Sequence, residues 1–207
     1  MKLSALFRLV VLTGLGLVTS SCSQPIMNPE AATPEEIERG YAAVSLDRFW
    51  SVIDQARADA PSIDALPNAL RRHVRDWNAD ELRGFEFHFG DQLQEAYRWD
   101  IWGVAYLVNG GASDDGFYYF RAWMVAQGRA AFTAALNDPQ TIADYATDDQ
   151  ENELEELLYV VSDLYTQKTG RPPPYKPIDP TAFLPVGERW EEADLPRLFP
   201  KVAARFR

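Results

Sequence analysis

The residues best suited to chemistry lie in one stretch of the sequence. Aspartates, an asparagine, a serine and an arginine alternate there with aromatic side chains on either side of the pair Gly110-Gly111. A turn followed by a helix start can bring such residues together, and aromatic walls with a few fixed polar groups are typical of a small-ligand pocket. The stretch therefore predicts a candidate ligand pocket formed by Trp99, Asp100, Asn109, Ser113, Asp114, Asp115 and Arg121.

The carboxylates of this stretch are open to more than one interpretation. Asp114 and Asp115 could act as general acid and base if burial separated their pKa values. Adjacent residues on a helix point about 100° apart, so one of them would need another partner, for which Asp100 is the best candidate. Carboxylate oxygens also suit a divalent cation, although the spacing matches no known metal-binding loop. In the structural interpretation, Ser113 and the two carboxylates after it simply favour a helix N-terminus.

Other signatures of catalysis are missing from the sequence. His73 and His88 are the only histidines and form no HExxH pair, and neither a GxSxG elbow nor a phosphate-binding glycine loop occurs. The single cysteine excludes a multi-cysteine metal site and an internal disulfide framework. We therefore predict a binding or interaction module without catalysis, metal or cofactor. The alternative is a carboxylate-based hydrolase or metal-assisted enzyme centred on the WD and SDDG segments.

The N-terminal segment has the pattern of an export signal. Lys2 and Arg8 precede an uncharged, mostly apolar run over 9–18. The length of this run is half of the roughly 20 residues that a membrane-spanning helix needs. Small residues and then the only cysteine, Cys22, follow. This arrangement resembles the lipobox of bacterial lipoproteins, although Thr19 stands where a leucine is usual. The resemblance implies that Cys22 carries a lipid anchor; the alternative is an ordinary secretory signal with an incidental cysteine.

The net charge and the export signal together limit the possible partners. The chain has 20 Lys and Arg against 31 Asp and Glu, a formal net charge of −11. This balance argues against nucleic acid, whose binding needs cations that displace counterions from phosphate. We expect an exported lipoprotein on the periplasmic or extracellular face of a bacterial cell envelope. Its expected partners are the membrane, through the lipid anchor, and a protein or small-molecule ligand.

Helical periodicity dominates the rest of the chain. Of its 207 residues, 46% are hydrophobic and 13% aromatic, which is enough to fill a core. Apolar residues recur at helical spacing, as at Phe49, Trp50 and Ile53. Helix starts are indicated at Thr33, at Asn78 or Asp80, at Ser113, and at Thr147 with Gln150. The sequence therefore predicts an all-α fold with a single compact multi-helix domain.

The C-terminal part has a different composition. Pro172-Pro173-Pro174 should be extended polyproline, and apolar residues such as Trp190 and Phe199 could pack this tail on the helical body. The predicted organisation is a signal peptide (1–21), a tether with a short helix (22–45), a helical domain (46–170) and a Pro-rich tail (171–207).

One combination of motifs resembles a known family. Residues 97–129 read YRWDIWGVAYLVNGGASDDGFYYFRAWMVAQGR, and an FW pair precedes them at 49–50. Together they resemble a bacterial family of helical domains, domain-of-unknown-function family 4240, over roughly 46–170. The resemblance implies a helical fold and no function, since the family has no assigned activity.

Overall fold

The computed structural model describes residues 29–149 and 151–206. This part of the chain contains ten α-helices: α1 (Pro34–Ala43), α2 (Leu46–Asp59), α3 (Leu66–Val74), α4 (Ala79–Glu95), α5 (Trp99–Asn109), α6 (Asp114–Ala126), α7 (Arg129–Asn137), α8 (Val160–Thr169), α9 (Leu195–Leu198) and α10 (Pro200–Arg205). No β-strand occurs among the described residues, and the predicted all-α fold is confirmed. The predicted signal peptide and Cys22 lie outside the described residues.

Local side chains fix where several helices begin. Thr33 and Glu36 form a reciprocal capping box at α1, and Asn78, rather than Asp80, does so with Glu81 at α4. The Ser113 hydroxyl accepts a hydrogen bond from the Gly116 backbone N–H at 3.1 Å and so caps α6. These caps satisfy backbone N–H groups that have no partner inside the helix.

The core is built from aromatic side chains of the central helices. Fully buried rings include Phe49, Phe85, Phe117, Phe120 and Phe132. The helix α4 packs against both α1 and α8. The backbones of α4 and α1 approach closely at Gly84 and Gly40. A Cβ added at Gly84 would lie only 2.2 Å from the Gly40 carbonyl oxygen, so the contact needs a glycine there. This packing leaves one face of α4 to the C-terminal tail.

The segment after α7 differs from the prediction. Thr147 begins no helix, and Gln150 lies outside the described residues. The Asn152 side chain instead accepts a hydrogen bond from the Thr147 N–H at 2.9 Å and donates one to the Thr147 carbonyl at 2.9 Å. These bonds stabilise a loop, and regular helix starts only at Val160 after a 3₁₀ turn over Glu155–Leu158.

The Pro-rich tail returns across the helical body. Tyr175 and Val186 form isolated bridges with Ala31 and Arg98, respectively. The Trp190 indole N–H donates to the Trp99 carbonyl at 2.6 Å, and the buried side chains of Leu195 and Val202 join the core. The tail therefore forms one wall of the grooves that lie beside α4 and the start of α5.

Candidate ligand-binding groove

The first predicted site residues, Trp99 and Asp100, begin α5. The Asp100 carboxylate pairs with Arg98, with 3.0 Å between Arg98 Nε and Asp100 Oδ1. Arg98 also donates to the Leu136 carbonyl at 2.8 Å, so this pair ties the start of α5 to the end of α7. The Trp99 ring stacks on Trp102 with 5.3 Å between ring centroids. Arg98 and Asp100 also line a shallow groove of about 710 Å³ beneath the tail.

Asn109 and Ser113 lie around the loop between α5 and α6. Asn109 Oδ1 accepts a hydrogen bond from the Asn152 backbone N–H at 3.0 Å. The Glu153 carboxylate lies over Gly116, since a Cβ added there would be 2.8 Å from Glu153 Oε1. Burial raises the pKa of Glu153, and the nearby Asn109 side chain opposes that shift. The loop thus gathers Asn109 and Ser113 around a carboxylate that the sequence patterns did not indicate.

Asp114 and Asp115 occupy the first turn of α6, where both side chains are exposed. Carboxylates at this place stabilise a helix through its dipole. Each of these positions agrees with the structural interpretation, while a catalytic role for the two residues stays a prediction.

Arg121 is buried between α6 and α4. Its guanidinium donates to the carbonyls of Leu93, at 2.6 Å, and Phe117, at 3.3 Å. The same group lies 4.6 Å from the centroid of the Tyr97 ring, a cation–π contact. Burial lowers the pKa of Arg121 to about 10. Five of the seven predicted residues thus have different partners, Asp114 and Asp115 are exposed, and a shared ligand site for the seven stays a prediction.

A second, mostly apolar groove lies between the exposed face of α4 and the Pro-rich tail. Its volume is about 600 Å³, and its tail wall is formed by Pro172, Pro173, Pro174 and the residues up to Asp179. The α4 wall presents Phe87, Gly90 and two carboxylates, Glu86 and Asp91. A concave, mostly apolar site with a few polar groups is the usual build of a small-ligand pocket.

The tail wall is fixed to α4 by a polar cluster of three residues. Lys176 Nζ pairs with Asp91 and donates to the Tyr41 hydroxyl oxygen at 2.8 Å. The Tyr41 hydroxyl in turn donates to Asp91 Oδ2 at 2.5 Å. Because these three groups bond to one another, the cluster holds the tail wall against α1 and α4 and pairs the charge of Lys176.

Glu86 is the unusual ionisable group of the groove. Its side chain is partly buried on α4, and burial raises the pKa of its carboxyl from 4.5 to about 8. The Ser162 backbone lowers this pKa through a hydrogen bond, whereas the negative charge of Asp163 raises it further. Strongly shifted groups in clefts are candidates for function.

The sequence contained one weak signal for this groove. Glu86 stands between the buried rings Phe85 and Phe87 in the run FEFHF, which is an unusual place for a carboxylate. Lys176 and Tyr175 gave no signal, because their partners are remote in sequence: Tyr41 on α1 and Asp91 on α4 for Lys176, and Ala31, before α1, for Tyr175.

The described residues give no indication of a metal centre or a membrane span. No group of three or more His, Cys, Asp or Glu side chains among them is placed to hold a metal ion. His88 contacts the Val44 carbonyl at 2.8 Å and His73 contacts Asp59 at 2.9 Å. None of the described helices has the length and apolar character needed to cross a bilayer.

Comparison with known proteins gives one match. A family model with the description "Protein of unknown function (DUF4240)" matches residues 45–167. The chain belongs to this family. The DUF4240 region includes the α4 wall of the groove, with Glu86 and Asp91, and ends before the tail wall at Pro172–Pro174. Searches of curated proteins and of solved structures found no match to the chain.

Proposed function

We propose that this DUF4240 member is an exported, lipid-anchored binding protein whose ligand site is the groove between α4 and the Pro-rich tail. The observation that carries the proposal is the groove itself. It encloses about 600 Å³ between a proline wall and α4, and its polar groups are few. Pockets of this size accommodate small organic ligands.

The lipid anchor is the second part of the proposal. Its support is the position of the only cysteine, Cys22, directly after an apolar run and three small residues. Acyl chains contribute roughly 0.8 kcal/mol for each buried methylene, so a lipid with more than one chain holds a protein stably on a membrane. The anchor would place the binding domain on the outer side of the membrane that the chain has crossed.

Gly90 offers a direct test of the groove. It lies inside α4 on the groove wall, and a Cβ added there would have no atom within 4 Å. Gly90→Trp should therefore place an indole ring in the groove, whereas Gly90→Ala should leave the groove open. With the neutral fluorescent probe N-phenyl-1-naphthylamine, we expect saturable binding to the wild type and to Gly90→Ala. Loss of at least 90% of it is expected in Gly90→Trp; equal binding by all three proteins would refute this ligand site.

The anchor is tested separately in cells. Cys22→Ser removes the only sulfur that could carry the lipid, so the protein should move from the membrane fraction to the soluble exported fraction. Ser23→Ala, next to it in the chain, is the matched control and should stay with the membrane. A Cys22→Ser protein that stays in the membrane fraction would show that lipidation at Cys22 is not the anchor.

A further inference from the structure

We infer that the groove takes an amphiphile bearing a positively charged amine, with the amine at Glu86 and the apolar chain along the proline wall. The inference rests on the proposed function, because it names the ligand class of the same groove. Three features of the structure lead to it: the sign of the charges in the groove, the neighbours of Glu86, and the distance to the lipid anchor.

The charges that line the groove favour a cation. Among the described residues of its walls, Glu86, Asp91 and Asp179 carry carboxyl groups and only Lys176 carries an ammonium group. Lys176 is already held by Asp91 and Tyr41. An anionic ligand would therefore meet carboxyl groups and no available cation among the described residues of these walls, whereas an ammonium group would meet carboxyls that can carry the complementary charge.

The groups around Glu86 lead to the same ligand. On α8, Asp163 is negative and pairs with Arg71 of α3 at 3.4 Å. On α6, Tyr118 lies near enough to interact electrostatically with both Glu86 and Arg121. The Arg121 guanidinium is itself hydrogen-bonded to the Leu93 and Phe117 carbonyls. Glu86 is thus a partly buried carboxyl that is bonded to the Ser162 backbone, and an ammonium ion would add a positive charge beside it.

The short connection to Cys22 favours an amphiphile over a freely dissolved amine. Pro29 lines the groove, and it is only seven positions after Cys22 in the chain. A fully extended chain of that length spans at most about 25 Å. A lipid on Cys22 therefore keeps the groove near the membrane surface, where amphiphiles concentrate. Apolar chains would lie against Phe87 and the prolines of the tail wall.

The inference is tested by calorimetric titration at pH 8 of the processed chain 22–207 carrying Cys22→Ser. The ligands are octylamine, octanol, octanoate and methylamine, which separate charge from chain length. We expect octylamine to bind at least tenfold more tightly than octanol and methylamine, and octanoate to bind most weakly. Glu86→Gln should remove the tenfold preference for octylamine and leave the binding of octanol unchanged. Glu95→Gln is the control, because Glu95 is exposed on the same helix and does not line this groove.

Each contrary result has its own meaning. If octanol binds as tightly as octylamine and Glu86→Gln changes neither, the groove is a ligand site and the amine specificity is wrong. If methylamine binds as tightly as octylamine, the apolar chain contributes nothing to binding and the inference that the ligand is an amphiphile is wrong. If none of the four ligands binds while the naphthylamine probe does, the inference fails and the proposed function stands. If the probe does not bind either, both fail.

Discussion

Replacing Glu86 by glutamine should change how the stability of the fold depends on pH. Burial raises the pKa of this carboxyl from 4.5 to about 8 in the folded chain. Between these two values the folded state keeps the proton and the unfolded state releases it. The free energy of unfolding therefore falls as the pH rises through this window, and the stability that protonation provides is complete only below about pH 4.5.

The size of the effect follows from the shift. Each pH unit inside the window is worth about 1.4 kcal/mol, which gives an upper limit of about 5 kcal/mol for the whole window. Because the side chain is partly exposed, water screens the charge, and we expect about 2–4 kcal/mol. Glutamine is neutral at every pH and avoids this loss. Glu86→Gln should match the wild type near pH 4.5 and exceed its stability by about 2–4 kcal/mol at pH 9.

Urea denaturation at pH 4.5, 6, 7.5 and 9 measures this difference, with Glu95→Gln as the control for loss of one exposed carboxylate from the same helix. The gap between Glu86→Gln and the wild type should widen with pH, while Glu95→Gln should follow the wild type within about 0.5 kcal/mol. A constant difference between the free energies of unfolding of Glu86→Gln and the wild type from pH 4.5 to 9 would refute the reasoning. It would show that the pKa of Glu86 is the same in the folded and unfolded states.

Substitutions at three further positions test the structural roles of motif residues. Gly128→Ala should lower the free energy of unfolding by about 1–3 kcal/mol in urea denaturation, since Gly128 has φ +92° and an added Cβ would lie 2.5 Å from Asp54 Oδ1; unchanged stability would contradict this. Ser113→Ala should cost about 1 kcal/mol through the lost α6 cap, whereas Ser113→Asp should restore it. Asp100→Asn should lower the free energy of unfolding by about 0.5–1 kcal/mol by weakening the pair with Arg98, and it should leave binding of N-phenyl-1-naphthylamine unchanged. Loss of a hydrolase activity at constant melting temperature would instead support the hydrolase alternative.

Some features of the fold were accessible from short stretches of sequence. Ser113 was expected to begin a helix, and its hydroxyl does cap α6. Thr33 with Glu36 gave the same kind of signal and forms the expected box. Thr147 carried a similar pattern yet begins no helix, because Asn152 bonds its backbone and holds the segment as a loop. A local signal is therefore decisive only when no distant side chain competes for the same backbone groups.

The candidate groove depended on contacts that no local pattern contains. Asp91 and Lys176 form its fixing ion pair across 85 residues of sequence. Glu86 carried only a faint signal, as a carboxylate between two phenylalanines. Its significance came from α8, whose Ser162 and Asp163 act on its carboxyl, and from the tail, which forms the other wall of the groove.

The sequence by itself determined the helical class of this protein, the starts of several helices, the family motifs and the acidic balance. These follow from side chains acting within a turn or two of their own backbone, or from composition, and so they can be read without a structure. Only the tertiary structure decided that Asp100 pairs with Arg98, that Arg121 is bonded to carbonyls of α4 and α6, and that a groove opens between α4 and the tail. Those outcomes depend on which distant segments pack together, because burial and partner choice are properties of the whole fold and not of any one segment.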